Sequence, residues 1–440
     1  MELKRLLLNS LKNWAERPGR LPLLLRGARQ TGKTWLLRQL GKECFEHTAY
    51  FDFAARPALA EIFASTRDPR AILKGLNLLS DVPILPGKTL IVLDEIQLCD
   101  DAFGSLKYFA QNAPEYAVAA SGSLLGTEMR RKRIFVPVGQ VEIFDVLPLS
   151  FQEFLLNASP KLSDFVEEIS QPEPLPTFAL AEIQKEFLRY QCVGGMPAAV
   201  SQLLDGADMG SVESLLRNIL ALCRYDFSQY ATPIETMRIS SVWDAIPSQL
   251  AKPNSRFFLS RVSPNARARE YAPALQWLCD AGLVFKTTRV STPKVPLRSY
   301  LEPEIFKLYA QDNGLLRVMA NLSVESILDP GAMSESKGAL AENLVAAALK
   351  RTYGIEPCYW ASGAQAEVVF LIESQGRVFP AEVCAGTGRA GRSLSVFAAK
   401  FDPTLSIRLS GRNLKKDDKL LNVPLCLADW LPHWIRLAGP

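Results

Sequence analysis

Along the first third of the chain, apolar positions come in blocks rather than singly. Four short runs are apolar almost throughout: LPLLL at 21–25, AYFDFA at 49–54, TLIVLD at 89–94 and YAVAASGS at 116–123. Runs of this length predict buried strands, and the stretches between them, TWLLRQLGKECF for one, carry helical spacing. Nearly unbroken apolar strands alternating with helices predict an α/β fold with a parallel sheet covered on both faces. Ahead of them, Leu3, Leu6, Leu7, Leu11 and Trp14 recur at helical spacing up to a breaker at Pro18–Gly19.

The pattern changes near residue 155. NASPKLSDFVEEISQPEPLPT holds prolines at 160, 172, 174 and 176 and predicts an exposed linker. Residues 180–282 are mostly helical in pattern, and LVFKTTRV, STPK and VPLRSYL then read as strand, turn and strand. Helices closed by a two-stranded ribbon predict a winged helix over residues 235–300. From 338 a helix (GALAENLVAAALKRTY) precedes strands at 357–361, 366–373 and 377–384, a further α/β segment.

Composition narrows the possibilities mainly by exclusion. The chain has 440 residues, 48% hydrophobic and 22% charged, so wholesale disorder and fibrous structure are ruled out. The net charge of +4 is too small to imply nucleic acid or an acidic membrane by itself. No apolar run is long enough to span a membrane, and the start lacks the apolar core of a signal peptide. A cytoplasmic protein is expected. The 8 cysteines form no CxxC pair, and with only His47 and His433 present, zinc hydrolases and histidine-centred triads are not expected.

The strongest chemical signal is Gly27-Ala28-Arg29-Gln30-Thr31-Gly32-Lys33-Thr34, which fits G-x-x-x-x-G-K-[ST] with a strand before it and a helix after it. Glycines let backbone N–H groups turn inward around phosphate oxygens, and the positive end of the following helix adds to that field. Lys33 supplies a mobile charge to the β- and γ-phosphates, and the Thr34 hydroxyl can ligate Mg²⁺. The second half is Leu90-Ile91-Val92-Leu93-Asp94-Glu95, an apolar strand ending in two acids. Asp94 can hold Mg²⁺, and Glu95 is placed to polarise the attacking water. Ser121 in the Ser121-Gly122-Ser123 turn can meet the γ-phosphate or that water, and Gln97 and Asp52 are further candidates for the same crevice. ATP is expected rather than GTP, since no Asn-Lys-x-Asp motif follows the acidic strand.

These motifs, in this order, resemble a family of prokaryotic AAA-type ATPases with a restriction-endonuclease-like C-terminal domain. Beyond RGARQTGKT and LDEIQ, the resemblance rests on the SGS turn, PLSFQEF (148–154), YQCVGGMP (190–197), FKLYAQDNGLL (306–316) and GALAENLV (338–345). It implies an AAA-like ATPase domain at 1–155, a helical and winged-helix region at 156–325, and a nuclease-like α/β domain at 326–440.

The chain departs from the family pattern twice. Where the family carries Gly-Arg ahead of PLSF, this chain has Gly139-Gln140, which leaves Arg130, Arg131, Lys132 and Arg133 as candidates to supply that positive charge to the nucleotide. In the nuclease-like part the family pattern places an aspartate at 369 and a lysine at 384. Here Val369 has no oxygen for a hard cation, and Cys384 cannot supply an ammonium, although Glu342, Glu367 and Glu382 remain. Nuclease activity is therefore not expected. Nine basic residues (Lys252, Arg256, Arg261, Arg267, Arg269, Lys286, Arg289, Lys294 and Arg298) leave DNA binding through the winged helix as a competing reading. A nucleotide-gated binding module, alone or with a protein partner or a second copy, is another, and a small-molecule kinase a third.

Overall fold

The computed structural model describes residues 2–127, 139–252, 255–329, 335–362, 366–385 and 391–439. The chain divides into two compact units. One is Arg5–Leu147 with Asp280–Gly282; the other is Met1–Lys4, Pro148–Cys279 and Leu283–Pro440. Among the described residues, no helix is long and apolar enough to cross a membrane.

The first unit is built on five parallel strands: β1 (Leu23–Gly27), β2 (His47–Asp52), β3 (Thr89–Asp94), β4 (Ala117–Ser123) and β5 (Glu142–Asp145). Their order is β2-β3-β4-β1-β5. Alternate residues of each strand sort into two cores. Leu23, Leu25, Leu90, Val92, Ala117 and Ala119 pack with Leu11 and Trp14 of the helix Leu7–Glu16 and with Leu36, Leu37 and Leu40 of the helix Lys33–Cys44. Leu24, Ile91, Leu93, Val118 and Ala120 face the other way, onto Phe63, Ile72, Leu76, Phe103 and Leu106 from the helices Ala60–Ser65, Pro69–Leu79 and Asp100–Asn112. Both faces are covered, which is why β3 and β4 are buried at every position.

Two details differ from the sequence pattern. The first helix begins at Leu7, not Leu3, because Arg5 is buried, its guanidinium donating to the carbonyls of Thr31 (2.9 Å) and Leu147 (2.7 Å). The edge strand β5 escaped notice because its four residues alternate between half-buried and exposed, a signal too short to read.

In the second unit, the stretch predicted as a linker contains a helix, Pro160–Glu167. Its proline stands in the first turn, where a missing N–H costs nothing, and Val166 is fully buried. The three most specific motifs meet at one point. Leu149 of PLSF donates its N–H to the Gly195 carbonyl (2.7 Å), and Gly195 in turn donates to Asp312 Oδ2 (2.7 Å). Asp312 Oδ1 caps the helix Asn313–Met319 through the Leu315 amide (2.8 Å). A Cβ on Gly195 would lie 2.0 Å from the Leu149 carbonyl oxygen, so glycine is required by the close approach of two backbones.

The rest of this unit is an eight-stranded mixed sheet of β6 (Val284–Val290), β7 (Leu301–Ala310), β8 (Cys358–Ala361), β9 (Glu367–Ser374), β10 (Arg377–Val383), β11 (Ser406–Ser410), β12 (Lys415–Asp417) and β13 (Leu420–Pro424). The order is β12-β13-β11-β10-β9-β8-β6-β7. The expected ribbon exists as the antiparallel pair β6–β7, preceded by the helices Pro233–Leu250 and Ala268–Asp280. Its second strand starts at Leu301 rather than within VPLRSYL, because a 3-10 turn at Leu297–Tyr300 follows Pro296. β6 also pairs in parallel with β8, so the ribbon is continuous with the C-terminal sheet. That sheet runs helix Glu335–Tyr353, antiparallel β8-β9-β10, helix Arg392–Phe401, then β11 parallel to β10.

Candidate functional site

The carboxyl ends of β1, β4 and β3 lie side by side, the usual place for a ligand in an open parallel sheet. β1 runs into the loop 27–34, which is shaped by backbone constraints. A Cβ on Gly27 would stand 2.2 Å from the Val146 carbonyl oxygen. Gln30 (φ 63°) and Gly32 (φ 92°) are left-handed, and Gly32 forms the N-cap of the helix Lys33–Cys44. The first-turn amides of that helix have no acceptor within it, so the loop ends in a field suited to anions. Thr31 Oγ1 donates back to the Ala28 carbonyl (2.9 Å), and Arg5 holds the loop through the Thr31 carbonyl. Nothing in the local pattern marked Arg5, whose role depends on where the first helix comes to lie.

Lys33 is buried and reaches back over the loop to the carbonyls of Gly27 (3.0 Å) and Ala28 (2.7 Å). Burial pushes its ammonium down to about 8, against the opposing pull of Glu95 and Asp94. Below about pH 8 the charged form is buried at a cost; that cost is relieved as pH rises above it, since the unfolded chain then holds the extra proton. Phosphate oxygens beside the ammonium favour its charged form. ATP binding near pH 9 should therefore take up a proton, and the uptake should fall toward zero by about pH 7. Calorimetric titrations in two buffers of different ionisation enthalpy measure this directly; no uptake at pH 9 would show that phosphate does not meet Lys33.

Asp94, buried at the end of β3, gathers the other groups. Its Oδ2 accepts from Thr34 Oγ1 (2.8 Å) and from the Tyr50 hydroxyl, and its Oδ1 from the Ser121 hydroxyl and the Glu95 amide (3.1 Å). The sequence-derived Thr34, Asp94 and Ser121 are thus in direct contact. Tyr50 was not anticipated. It lies two residues before the end of β2, burial and the neighbouring carboxylate push its phenol upward, and the Arg38 guanidinium packs 4.8 Å from its ring. A carboxylate ringed by hydroxyl oxygens, next to a phosphate-type loop, is an oxygen donor set that could take a hard divalent cation, with Thr34 and Asp94 as the residues that could hold it.

Glu95 adopts a left-handed conformation (φ 53°, ψ 42°), uncommon outside glycine and frequent where function fixes a residue. Gln97 Nε2 donates to its carboxylate (2.5 Å), so Gln97 acts by aiming Glu95. A Cβ on Gly122 would stand 2.3 Å from Gln97 Oε1 and 2.7 Å from Leu125 Cγ, so a larger residue between Ser121 and Ser123 would require these two side chains to move. Asp52 is differently employed: its Oδ1 accepts from the amides of Ala54 (2.8 Å) and Ala55 (3.1 Å) and closes a turn. Arg130, Arg131, Lys132 and Arg133 lie outside the described residues. A further neighbour comes from far down the chain. Gly282 is left-handed (φ 70°), and a Cβ on it would come 3.2 Å from the Ala28 amide nitrogen.

Of the surviving acids in the C-terminal sheet, Glu342 and Glu367 both bond to Lys307, whereas Glu382 stands in register with Arg408 and has one carboxylate oxygen buried without a hydrogen-bond partner. Among the nine basic residues, Arg289 pairs with Glu302, Arg256 and Arg261 lie over the Phe258 ring, and Lys286 over Phe306.

Residues 19–155 match the family model of an AAA domain. Residues 184–326 and 337–427 match two domains of unknown function, DUF8612 and DUF4143. No curated relative matches the sequence. Similar solved structures include a Walker-type ATPase of Pyrococcus abyssi (14% identity, 72% of this chain and 96% of that one, TM-score 0.44). They also include the ORC2 protein of Aeropyrum pernix in an ADPNP–ADP form (14%, 74% and 94%, TM-score 0.35) and AMPPCP-bound DnaA of Aquifex aeolicus (13%, 61% and 82%, TM-score 0.27). Residues 19–155, which hold the phosphate-type loop, Asp94 and Ser121, are thus similar to an AAA domain.

Proposed function

We propose that the chain binds MgATP at the β1–β4–β3 edge and hydrolyses it slowly to ADP and phosphate, so as to switch the position of its C-terminal segments. The observation that carries this is the convergence of Thr34 and Ser121 on Asp94 beside a complete phosphate loop. Lys33 and the backbone of 27–34 hold the phosphates, with Lys33 exchanging its two loop carbonyls for phosphate oxygens. Thr34 and Asp94 hold Mg²⁺, which supplies charge neutralisation at the β- and γ-oxygens. Glu95, aimed by Gln97, accepts hydrogen bonding from the attacking water, and Ser121 orients the γ-phosphate or that water. Gln140 carries no positive charge for the leaving phosphates, hence the expectation of a slow rate unless an arginine comes from a partner protein or a second copy.

On this reading residues 1–155 are the ATPase part and 156–325 the helical and winged-helix part. Residues 326–440 are a degenerate restriction-endonuclease-like part without cleavage activity. Helix, three antiparallel strands, helix and a parallel fourth strand are the element order such a nuclease core has, which supports the last assignment. The helix–helix–ribbon order supports the winged helix. DNA binding through it is the second reading, favoured by Arg267 and Arg269 ahead of the ribbon and Lys294 and Arg298 in the connection between its strands. Phosphate release from ATP tests the main proposal: the wild type should release phosphate with Mg²⁺ and stop when the metal is chelated. A rate of zero with Mg²⁺, in the presence and absence of duplex DNA, would leave only nucleotide binding.

A further inference from the structure

The C-terminal sheet holds an ion cluster that the nucleotide site does not use. Lys307 on β7 has a fully buried side chain, and its Nζ lies 2.5 Å from Glu367 Oε1 at the start of β9 and 3.1 Å from Glu342 Oε1 on the helix Glu335–Tyr353. The same Glu342 oxygen accepts from Ser255 Oγ (2.9 Å) and from the Tyr309 hydroxyl. The Tyr359 ring centroid stands 5.1 Å from the ammonium.

An ammonium out of water is costly unless carboxylates meet it, and here two do. Conversely, two carboxylates and two hydroxyls around one point form an oxygen cage of the kind a hard divalent cation takes. A nuclease of the kind proposed for residues 326–440 would hold its metal with a helix glutamate and strand acids. The residues present do not complete such a catalytic metal site, although the oxygens of Glu342, Glu367, Ser255 and Tyr309 would remain around an ion if the ammonium were gone. Val369 offers no oxygen, Cys384 is a poor ligand for a hard cation, and among the described residues no three of His, Cys, Asp and Glu converge as a metal site.

We propose that Lys307 is a built-in cation: its ammonium occupies the place of a divalent metal between Glu342 and Glu367, so that the cluster binds no metal and instead fastens the β6–β7 ribbon to the C-terminal sheet. The inference rests on the nuclease-like reading of residues 326–440. Four separate stretches supply the cluster (Ser255, Lys307 with Tyr309, Glu342, and Glu367), which makes it a clasp across sequence as well as a substitute for an ion. The degenerate pattern then has a physical sense, since a ligand lost at 369 is harmless once the charge is balanced from within.

Manganese binding followed by electron paramagnetic resonance tests this on the full chain without nucleotide, in an Asp94→Asn background that removes the acid of the ATPase site. The parent should bind no Mn²⁺ at millimolar concentration. Lys307→Met should gain one bound Mn²⁺, lost again on adding Glu342→Gln. A parent that binds Mn²⁺ in a manner abolished by Glu342→Gln overturns the proposal, as does a folded Lys307→Met that binds none. Should Lys307→Met fail to fold, the parent titration alone decides: silence supports the built-in cation and Glu342-dependent binding refutes it. A plasmid-nicking assay on the parent in Mn²⁺ separates this failure from that of the underlying reading. Binding without nicking sinks only the inference, whereas binding with nicking sinks the degenerate-nuclease assignment as well.

Discussion

Glu95→Gln should slow phosphate release by a factor of about 10²–10⁴ while leaving ATP affinity within a few-fold of wild type. The substitution keeps the shape of the side chain and its place after β3, so the left-handed backbone and the Asp94 cluster stay as they are. What is lost is an anionic acceptor for the water proton. Gln97, which donates to the Glu95 carboxylate, should hold the new amide in nearly the same direction, so the change is chemical rather than positional. Single-turnover phosphate release beside a binding titration separates the two effects. Equal and near-zero rates for wild type and variant would favour a protein that keeps ATP as a switch and rarely cleaves it.

Lys33→Ala should weaken ATP binding by about 10- to 100-fold, the worth of a charge-assisted hydrogen bond to phosphate in a partly dry site. The expectation follows from where the side chain is held. Its ammonium is buried, it borrows carbonyl oxygens of the loop, and burial lowers its proton affinity although Glu95 and Asp94 oppose this, so further negative charge beside it is favoured. A triphosphate supplies that charge. Removing the lysine leaves the loop with helix-end and backbone attraction alone.

The central strands, the phosphate loop and Asp94 with Glu95 were legible because each is a local pattern: apolar runs for strands buried on both faces, and a glycine–lysine spacing that backbone geometry dictates. Residues recruited from elsewhere were not. Tyr50 reaches Asp94 only because β2 pairs with β3, Arg5 grips the loop only because the chain ahead of the first helix turns inward, and Gly282, remote in sequence but in the same compact unit, comes close to Ala28 only in the folded chain. Pro160 differed from the expected linker for a related reason, while residues 169–176 with the later prolines do form an irregular connection. Proline marks helix starts as well as loops, and only tertiary burial of Val166 tells them apart. In the C-terminal sheet, the absent aspartate and lysine could be read from the strands, but Lys307, which meets Glu342 and Glu367, lies on a ribbon that no local pattern joins to them.

The most direct test of the account is a calorimetric titration of MgATP into the wild type and into Lys33→Ala, with circular dichroism to establish that both are folded. The account predicts measurable binding by the wild type and a large loss of affinity in the variant; unchanged affinity in a folded Lys33→Ala protein would contradict it, since the loop at 27–34 could not then be what holds the triphosphate.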